Sequence, residues 1–438
     1  MNYFNEKQYS KLSKLLCYLK NNSGYYREKL AGYSEEELVD ENKIKEIYEN
    51  LEITTKNGIL DSYDEYLDDK VVRWFKESDI PMKDYLLNTK DLNKNHDKVI
   101  NVEKIPFTVE TTSGTTGKPF PIVKSSSERM IAANYLLKRR KDHNPNANVV
   151  NGFLLAHEVD DYLKDTNYLD EKSDMHEVVD YFIEKKPEWI FVTANTIKRF
   201  VRAIEKFNKQ EAVRNVGVKF IEVTAAKLDD DEKKHIEQLF NAPIRNQYGC
   251  REVWNIAYEC KCGNMHINNS NLMVDIVDKE GKTVNEENCT GEVVVTSLYN
   301  KMTPFVKYYL GDYASISTKK CECGNTEPIL TLQGGRKCER LKNTPYFGTS
   351  VFRRVLRVLY FNKGLRYGKV KIVQDEEFHL SVYVEKCFDF ELFKKKFSEI
   401  SAIMIENFSE FELTFIEGYP FEAEKNFLKE NVFLSKVN

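Results

Sequence analysis

Cysteine is scarce in this chain: nine residues in 438, too few to staple a secreted scaffold with disulfides. No stretch approaches the ~18 consecutive apolar residues that a membrane-spanning helix needs. The first residues, Met1-Asn2-Tyr3-Phe4-Asn5-Glu6-Lys7, lack the basic-then-apolar pattern of a leader peptide. Basic excess is missing as well. Lysine plus arginine number 65 against 69 aspartate plus glutamate, a formal charge of −4, and the pI is near 6.1. That balance argues against an electrostatically driven nucleic-acid binder. There is no low-complexity tract and no solenoid period. What is present is 41 % apolar and 12 % aromatic residues, which excludes a disordered chain. The length suits two to four domains at roughly 100–200 residues each. The expectation is a cytoplasmic, multi-domain globular protein with neither membrane nor nucleic acid as a partner.

Periodicity divides the chain. Leu12, Leu15, Leu16 and Leu19 recur at helical spacing, and the first hundred residues read as mostly helical. Ser125 to Ser127 are capping candidates for a helix over 125–142. From about 149 to 246 short apolar strands alternate with amphipathic helices, the pattern of a mostly parallel sheet. From about 270 to 333 strands follow one another directly, at 272–277, 292–297, 305–309 and 329–332. The last ~100 residues read helix, strand, strand, helix, strand, which suits a small α+β domain. The predicted fold class is therefore α/β. A large N-terminal body spans 1–335 and includes an antiparallel or barrel-like subdomain about 256–333; a C-terminal domain covers 336–438.

Residues Thr111-Thr112-Ser113-Gly114-Thr115-Thr116-Gly117-Lys118-Pro119 offer backbone N–H groups, hydroxyl donors and a cation in one loop. A polyphosphate needs those groups, and the glycines allow close approach. The glycine spacing and Pro119 do not fit a P-loop NTPase. An ordinary Ser/Thr/Gly turn is the alternative. Three later segments weigh against that alternative: Tyr248-Gly249-Cys250-Arg251-Glu252, the run from Pro304 to Asp312, and Gly335-Arg336-Lys337-Cys338-Glu339. In this order and at these separations the set resembles the adenylate-forming superfamily. Within it, the chain is most similar to the compact phenylacetate–coenzyme A ligases and their capsule-biosynthesis relatives.

The resemblance implies an AMP-forming acid–thiol ligase. A carboxylate attacks the α-phosphate of ATP, and coenzyme A, an acyl-carrier-protein thiol or an amine then displaces AMP. It implies that Thr112, Ser113, Gly114, Thr115, Thr116, Gly117 and Lys118 hold the β- and γ-phosphates. Tyr248 would stack on adenine beside Gly249, Glu252 would bind Mg²⁺, and Asp312 would hold the ribose. Arg336 would touch ribose or phosphate. A lid lysine, Lys425 or alternatively Lys429, would reach the α-phosphate. Departures are present too. Lys307 stands where the family has arginine, Ala225-Ala226 where it has a Gly-Glu pair, Cys338-Glu339 at the hinge, and Glu424 before Lys425. A nucleotide-binding scaffold with degenerate catalysis is thus a third reading, and a homodimer is left open. Phe153, His157, Trp189, Phe191 and Trp254 are candidates either for the walls of the acid pocket or for core.

Two cysteine pairs echo each other: Cys260-Lys261-Cys262-Gly263-Asn264 and Cys321-Glu322-Cys323-Gly324-Asn325. Brought together, Cys260, Cys262, Cys321 and Cys323 would form a structural zinc site. Free thiols or a disulfide are the alternatives. His266 follows the first pair, either as a pocket residue or as a hydrogen-bonded structural histidine.

Overall fold

The computed structural model describes residues 4–78, 82, 86, 107–111, 120–156, 168–170, 174–226, 228, 230–284, 286–336, 341–344, 348–359, 365–368, 370–385, 387–418 and 433–437. The chain forms two compact units. One comprises Met1–Cys289, Val293–Leu310 and Ile316–Thr331; the other comprises Thr290–Glu292, Gly311–Ser315 and Leu332–Asn438.

The leucine stripe near the N-terminus forms the predicted helix, Glu6–Asn22. Asn5 and Gln8 close a capping box at its start, and Leu12, Leu15, Leu16 and Leu19 are buried. Gln8 Nε2 donates to the Leu272 carbonyl at 2.8 Å, tying this helix to the sheet. Among the described residues no helix is long and apolar enough to cross a membrane.

The strands are β1 (Phe107–Thr111), β2 (Pro121–Ser125), β3 (Gly152–Ala156), β4 (Tyr168–Asp170), β5 (Trp189–Thr193), β6 (Phe220–Thr224), β7 (Ile244–Cys250), β8 (Trp254–Glu259), β9 (Met265–Ile267), β10 (Leu272–Val277), β11 (Gly291–Ser297), β12 (Tyr308–Ser317), β13 (Ile329–Arg336), β14 (Val370–Glu376), β15 (His379–Val384), β16 (Glu412–Glu417) and β17 (Phe433–Ser435). An eleven-stranded sheet runs in the order β10-β11-β12-β13-β9-β8-β7-β6-β5-β3-β4. β4, β3, β5, β6 and β7 are parallel neighbours. Between them run the helices Met175–Lys185, Ala194–Lys206 and Asp230–Phe240. Their apolar faces, with Phe182, Phe200 and Phe240, close over Phe153 and Ile190 of the sheet in one core. The alternation of strand and helix is thus borne out.

At β7 the direction reverses. β7 to β8, β8 to β9 and β9 to β13 pair antiparallel. The antiparallel strands continue the hydrogen-bonded order of the parallel ones. β12 begins at Tyr308, later than the predicted strand over 305–309. Lys307 stands at φ +47°, so the extended run starts only after it. In the second unit the four strands run β16-β15-β14-β17. The helices Gly348–Arg357 and Phe390–Met404 pack on them through Phe352, Phe393 and Phe397. That matches the predicted α+β arrangement, with β17 as an added strand.

One buried acid gives the first unit a pH dependence. Asp275 of β10 is 3 % exposed and accepts a hydrogen bond from the Tyr48 hydroxyl at 2.5 Å. Burial pushes its carboxyl up to about 6, with Glu49 adding to the rise; the Tyr48 bond and the Lys307 ammonium oppose it. A carboxyl raised in the folded state binds more protons there than in the unfolded chain. Stability therefore falls as pH rises from about 4 to about 6, and is flat above that. Asp275→Asn should stabilise the chain at pH 7.5 by on the order of 2 kcal/mol, with the gain vanishing near pH 4. Urea melts at the two pH values check this, and equal gains at both would contradict it.

Candidate active site

The phosphate loop predicted over Thr112 to Lys118 lies outside the described residues, but its stem is in view. β1 and β2 pair antiparallel from Phe107↔Ser125 to Thr111↔Pro121. β1 and β2 are therefore the two strands of a hairpin, and the predicted loop falls between them in sequence. Sequence patterning did not show this hairpin, because its strands are five residues each and straddle the polar loop.

The second motif is the turn between β7 and β8. Tyr248 and Gly249 lie on β7, with a register shift between them. A Cβ at position 249 would meet the Trp254 carbonyl oxygen at 1.7 Å, so only glycine lets the strands close here. Glu252 follows in the turn and is buried. The Tyr308 hydroxyl donates to its Oε1 at 3.1 Å. Burial and the adjacent Glu252 charge push the Tyr308 hydroxyl far up, so it stays a donor.

Lys124 joins these two motifs. It lies on β2, is 1 % exposed, and forms an ion pair with Glu110 Oε2 at 3.0 Å. Its Nζ also donates to the Arg251 carbonyl at 2.5 Å and sits 5.0 Å from the Trp254 ring centre. Trp254 Nε1 donates to the same Glu110 oxygen at 3.1 Å. Burial pulls the ammonium down against the pull of Glu110. Burial also raises Glu110, but Lys124 and the Trp254 bond outweigh it and leave that carboxyl below its ordinary value. The stem of the predicted loop and the turn carrying Glu252 thus share one buried charge cluster. Sequence reasoning missed Lys124 and Glu110. The available signal was a lysine directly after the apolar run Pro121-Ile122-Val123, with an acid just across the loop.

The remaining candidates fall into four groups. Asp312 lies on β12 after Gly311, which takes φ +77°. Arg336 is the last residue of β13. Both belong to the second unit. Lys425 and its alternative Lys429 lie outside the described residues, as do His157, Cys338 and Glu339. Ala225, in the loop where the resemblance leads one to expect glycine and glutamate, takes φ +72°, a left-handed conformation that costs an alanine about 1–2 kcal/mol. Of the pocket-wall candidates, Phe153 belongs to the core on the sheet, and Trp189 packs with Ala147 and Phe220. Trp254 serves the Lys124 cluster.

The cysteine echo is drawn together as well. One ligand atom each from Cys260, His266, Cys321 and Cys323 lies within 4.8 Å of all the others, an arrangement that could hold a metal ion. Cys262 is exposed and outside that group of four. His266 was weighed from sequence only as a pocket or structural residue.

No protein-family model matches the chain. Protein CapK of Staphylococcus aureus is 24 % identical over 268 residues, covering 57 % of this chain and 56 % of CapK, a little over half the relative's length. The chain is similar in structure to 2-hydroxyisobutyryl-CoA ligase in its postadenylation state with 2-HIB-AMP, at TM-score 0.68 and 14 % identity, covering 98 % of this chain and 88 % of that one. A further structure of that ligase, with 2-HIB-AMP and CoA in the thioesterification state, gives TM-score 0.59 at 14 % identity, over 98 % and 88 %. ATP-bound MatB of Rhodopseudomonas palustris gives TM-score 0.50 at 14 % identity, over 74 % of this chain and 67 % of MatB. The chain therefore has the fold of the adenylate-forming acid–CoA ligases.

Proposed function

We propose that this chain is an AMP-forming acid–CoA ligase. The observation that carries the reading is the Lys124 cluster. It ties the hairpin bearing the Gly-Thr loop to the turn bearing Glu252, two segments with the chemistry ATP requires, within a fold shared with a CoA ligase.

In the first half-reaction a carboxylate oxygen of the acid attacks the α-phosphorus of ATP. The bond to the bridging oxygen breaks, and pyrophosphate leaves with the electron pair. Charge on the phosphate oxygens must be met by fixed donors. Thr112 to Gly117, with Lys118, would supply them at the β- and γ-phosphates. Glu252 fits a hard cation: it is buried, and Tyr308 occupies one of its oxygens with a neutral donor. It would hold Mg²⁺, whose charge would offset that of the phosphates. Tyr248 and Gly249 would line the adenine site, Asp312 and Arg336 the ribose, and Lys425 would reach the α-phosphate. In the second half-reaction the sulfur of coenzyme A attacks the acyl carbon, and AMP leaves. We place the protein in the cytoplasm, where both cosubstrates are available.

Pyrophosphate release across a panel of carboxylic acids, with and without coenzyme A, tests this reading. AMP formation that needs both an acid and coenzyme A is the expected result. Hydroxylamine trapping of the intermediate with no coenzyme A dependence would move the acceptor to an amine or a carrier-protein thiol. Tight ATP binding with no AMP from any acid would leave a nucleotide-binding scaffold.

A further inference from the structure

We infer that the chain holds one structural zinc ion through Cys260, His266, Cys321 and Cys323, with Cys262 outside the ligand set. This is independent of the ligase reading. The Cys260 and Cys321 sulfurs stand 3.7 Å apart, far beyond a disulfide bond of about 2.05 Å. His266 Nε2 stands 3.4 Å from the Cys323 sulfur. With Zn–S near 2.3 Å and Zn–N near 2.0–2.1 Å, the edges of a tetrahedral site are about 3.8 Å for two sulfurs and about 3.5 Å for sulfur and nitrogen. The two measured separations match these edges.

The surroundings hold the ligands in place. His266 Nδ1 donates to the Glu327 carbonyl at 2.8 Å, which leaves the Nε2 lone pair facing the thiols. Asn264 Nδ2 donates to the Cys321 sulfur at 3.2 Å, and the Asn325 amide to the Cys323 sulfur at 3.4 Å. Each half of the site is a tight turn, closed by Gly263 N to the Cys260 carbonyl at 3.0 Å and by Gly324 N to the Cys321 carbonyl at 3.1 Å. His266 and Cys321 are buried, whereas Cys262 is exposed. Three thiolates and an imidazole fill four positions and leave none for a substrate, so the site is structural.

Its place in the sheet gives it a task. β9 and β13 share a single register pair, Ile329↔His266, with one further backbone bond from Ile267 N to the Pro328 carbonyl at 2.9 Å. The metal would clamp this seam by linking the turn after β8 to the segment leading into β13.

Metal analysis of the purified full chain, cobalt substitution and three variants test the assignment. The expected results are one zinc per chain, retained in Cys262→Ser and lost from Cys321→Ser. His266→Ala should bind zinc at least about tenfold more weakly in competition with a chelator, and His266→Cys should restore binding. The cobalt form of the unmodified protein should show tetrahedral d–d bands with charge-transfer intensity for three thiolates, and Cys262→Ser should leave that spectrum unchanged. This readout holds even if a variant fails to fold. Absence of metal, a four-thiolate spectrum, or loss of zinc in Cys262→Ser with retention in His266→Ala would overturn the assignment.

Discussion

Lys124→Met should destabilise the chain by about 3–5 kcal/mol, the usual cost of leaving a buried carboxylate without its partner. Methionine keeps much of the lysine stem's volume but abandons Glu110 and the Arg251 carbonyl together. Lys124→Met/Glu110→Gln removes both charges, and Trp254 can still donate to the glutamine oxygen. The double variant should therefore recover most of the stability in urea melts. It should not recover the KM for ATP, because the Arg251 carbonyl and the turn behind it remain unanchored. If the double variant is as unstable as the sum of the two singles, the pair is not what holds the hairpins together. If it restores KM as well, Lys124 does not position the turn.

Glu252→Gln makes the complementary case. Glutamine preserves an acceptor for the Tyr308 hydroxyl, so the melt should move by less than about 1 kcal/mol. Acid-dependent pyrophosphate release should nevertheless fall by about 100-fold or more, the scale seen when a charge-stabilising group is removed from an active site. Tyr308→Phe, which spares the carboxylate, should cost far less activity. A Glu252→Gln protein with normal release would remove Glu252 from the proposed cation site. One with a collapsed melt would recast Glu252 as a structural acid.

The elements legible in the sequence share a property: their evidence is local. The leucines of Glu6–Asn22 and the alternation through β3 to β7 each depend on residues within a turn or two of one another. The glycine in Tyr248-Gly249 was legible as part of a motif, but its physical necessity was not, because the obstructing atom belongs to Trp254 on the returning strand. Lys124 was illegible for a similar reason. A lysine between the apolar run Pro121-Ile122-Val123 and the serines 125–127 looks like the solvated end of that run until Glu110 and Arg251 are brought to it. His266 sits 57 residues from Cys323, and nothing in Cys-x-Cys spacing indicates whether a nearby histidine or the second thiol completes the set. The strand expected over 305–309 shows the reverse error: local apolar character was real, but Lys307 adopts a left-handed conformation.

The Lys124 cluster also orders events during synthesis. The Arg251 carbonyl lies 127 residues further along the chain than the ammonium it accepts from. While the ribosome is still making the parallel strands, β1 and β2 can meet, but Lys124 has only Glu110 for company. Its remaining partner and the Trp254 ring emerge after β7. Contacts of such long sequence separation close late. The nascent chain therefore carries the Gly-Thr loop for more than a hundred residues before the turn bearing Glu252 is made. The stem and the turn bearing Glu252 would come together in one step, with the β7–β8 hairpin, and the proposed ribose and α-phosphate residues Asp312, Arg336 and Lys425 would follow.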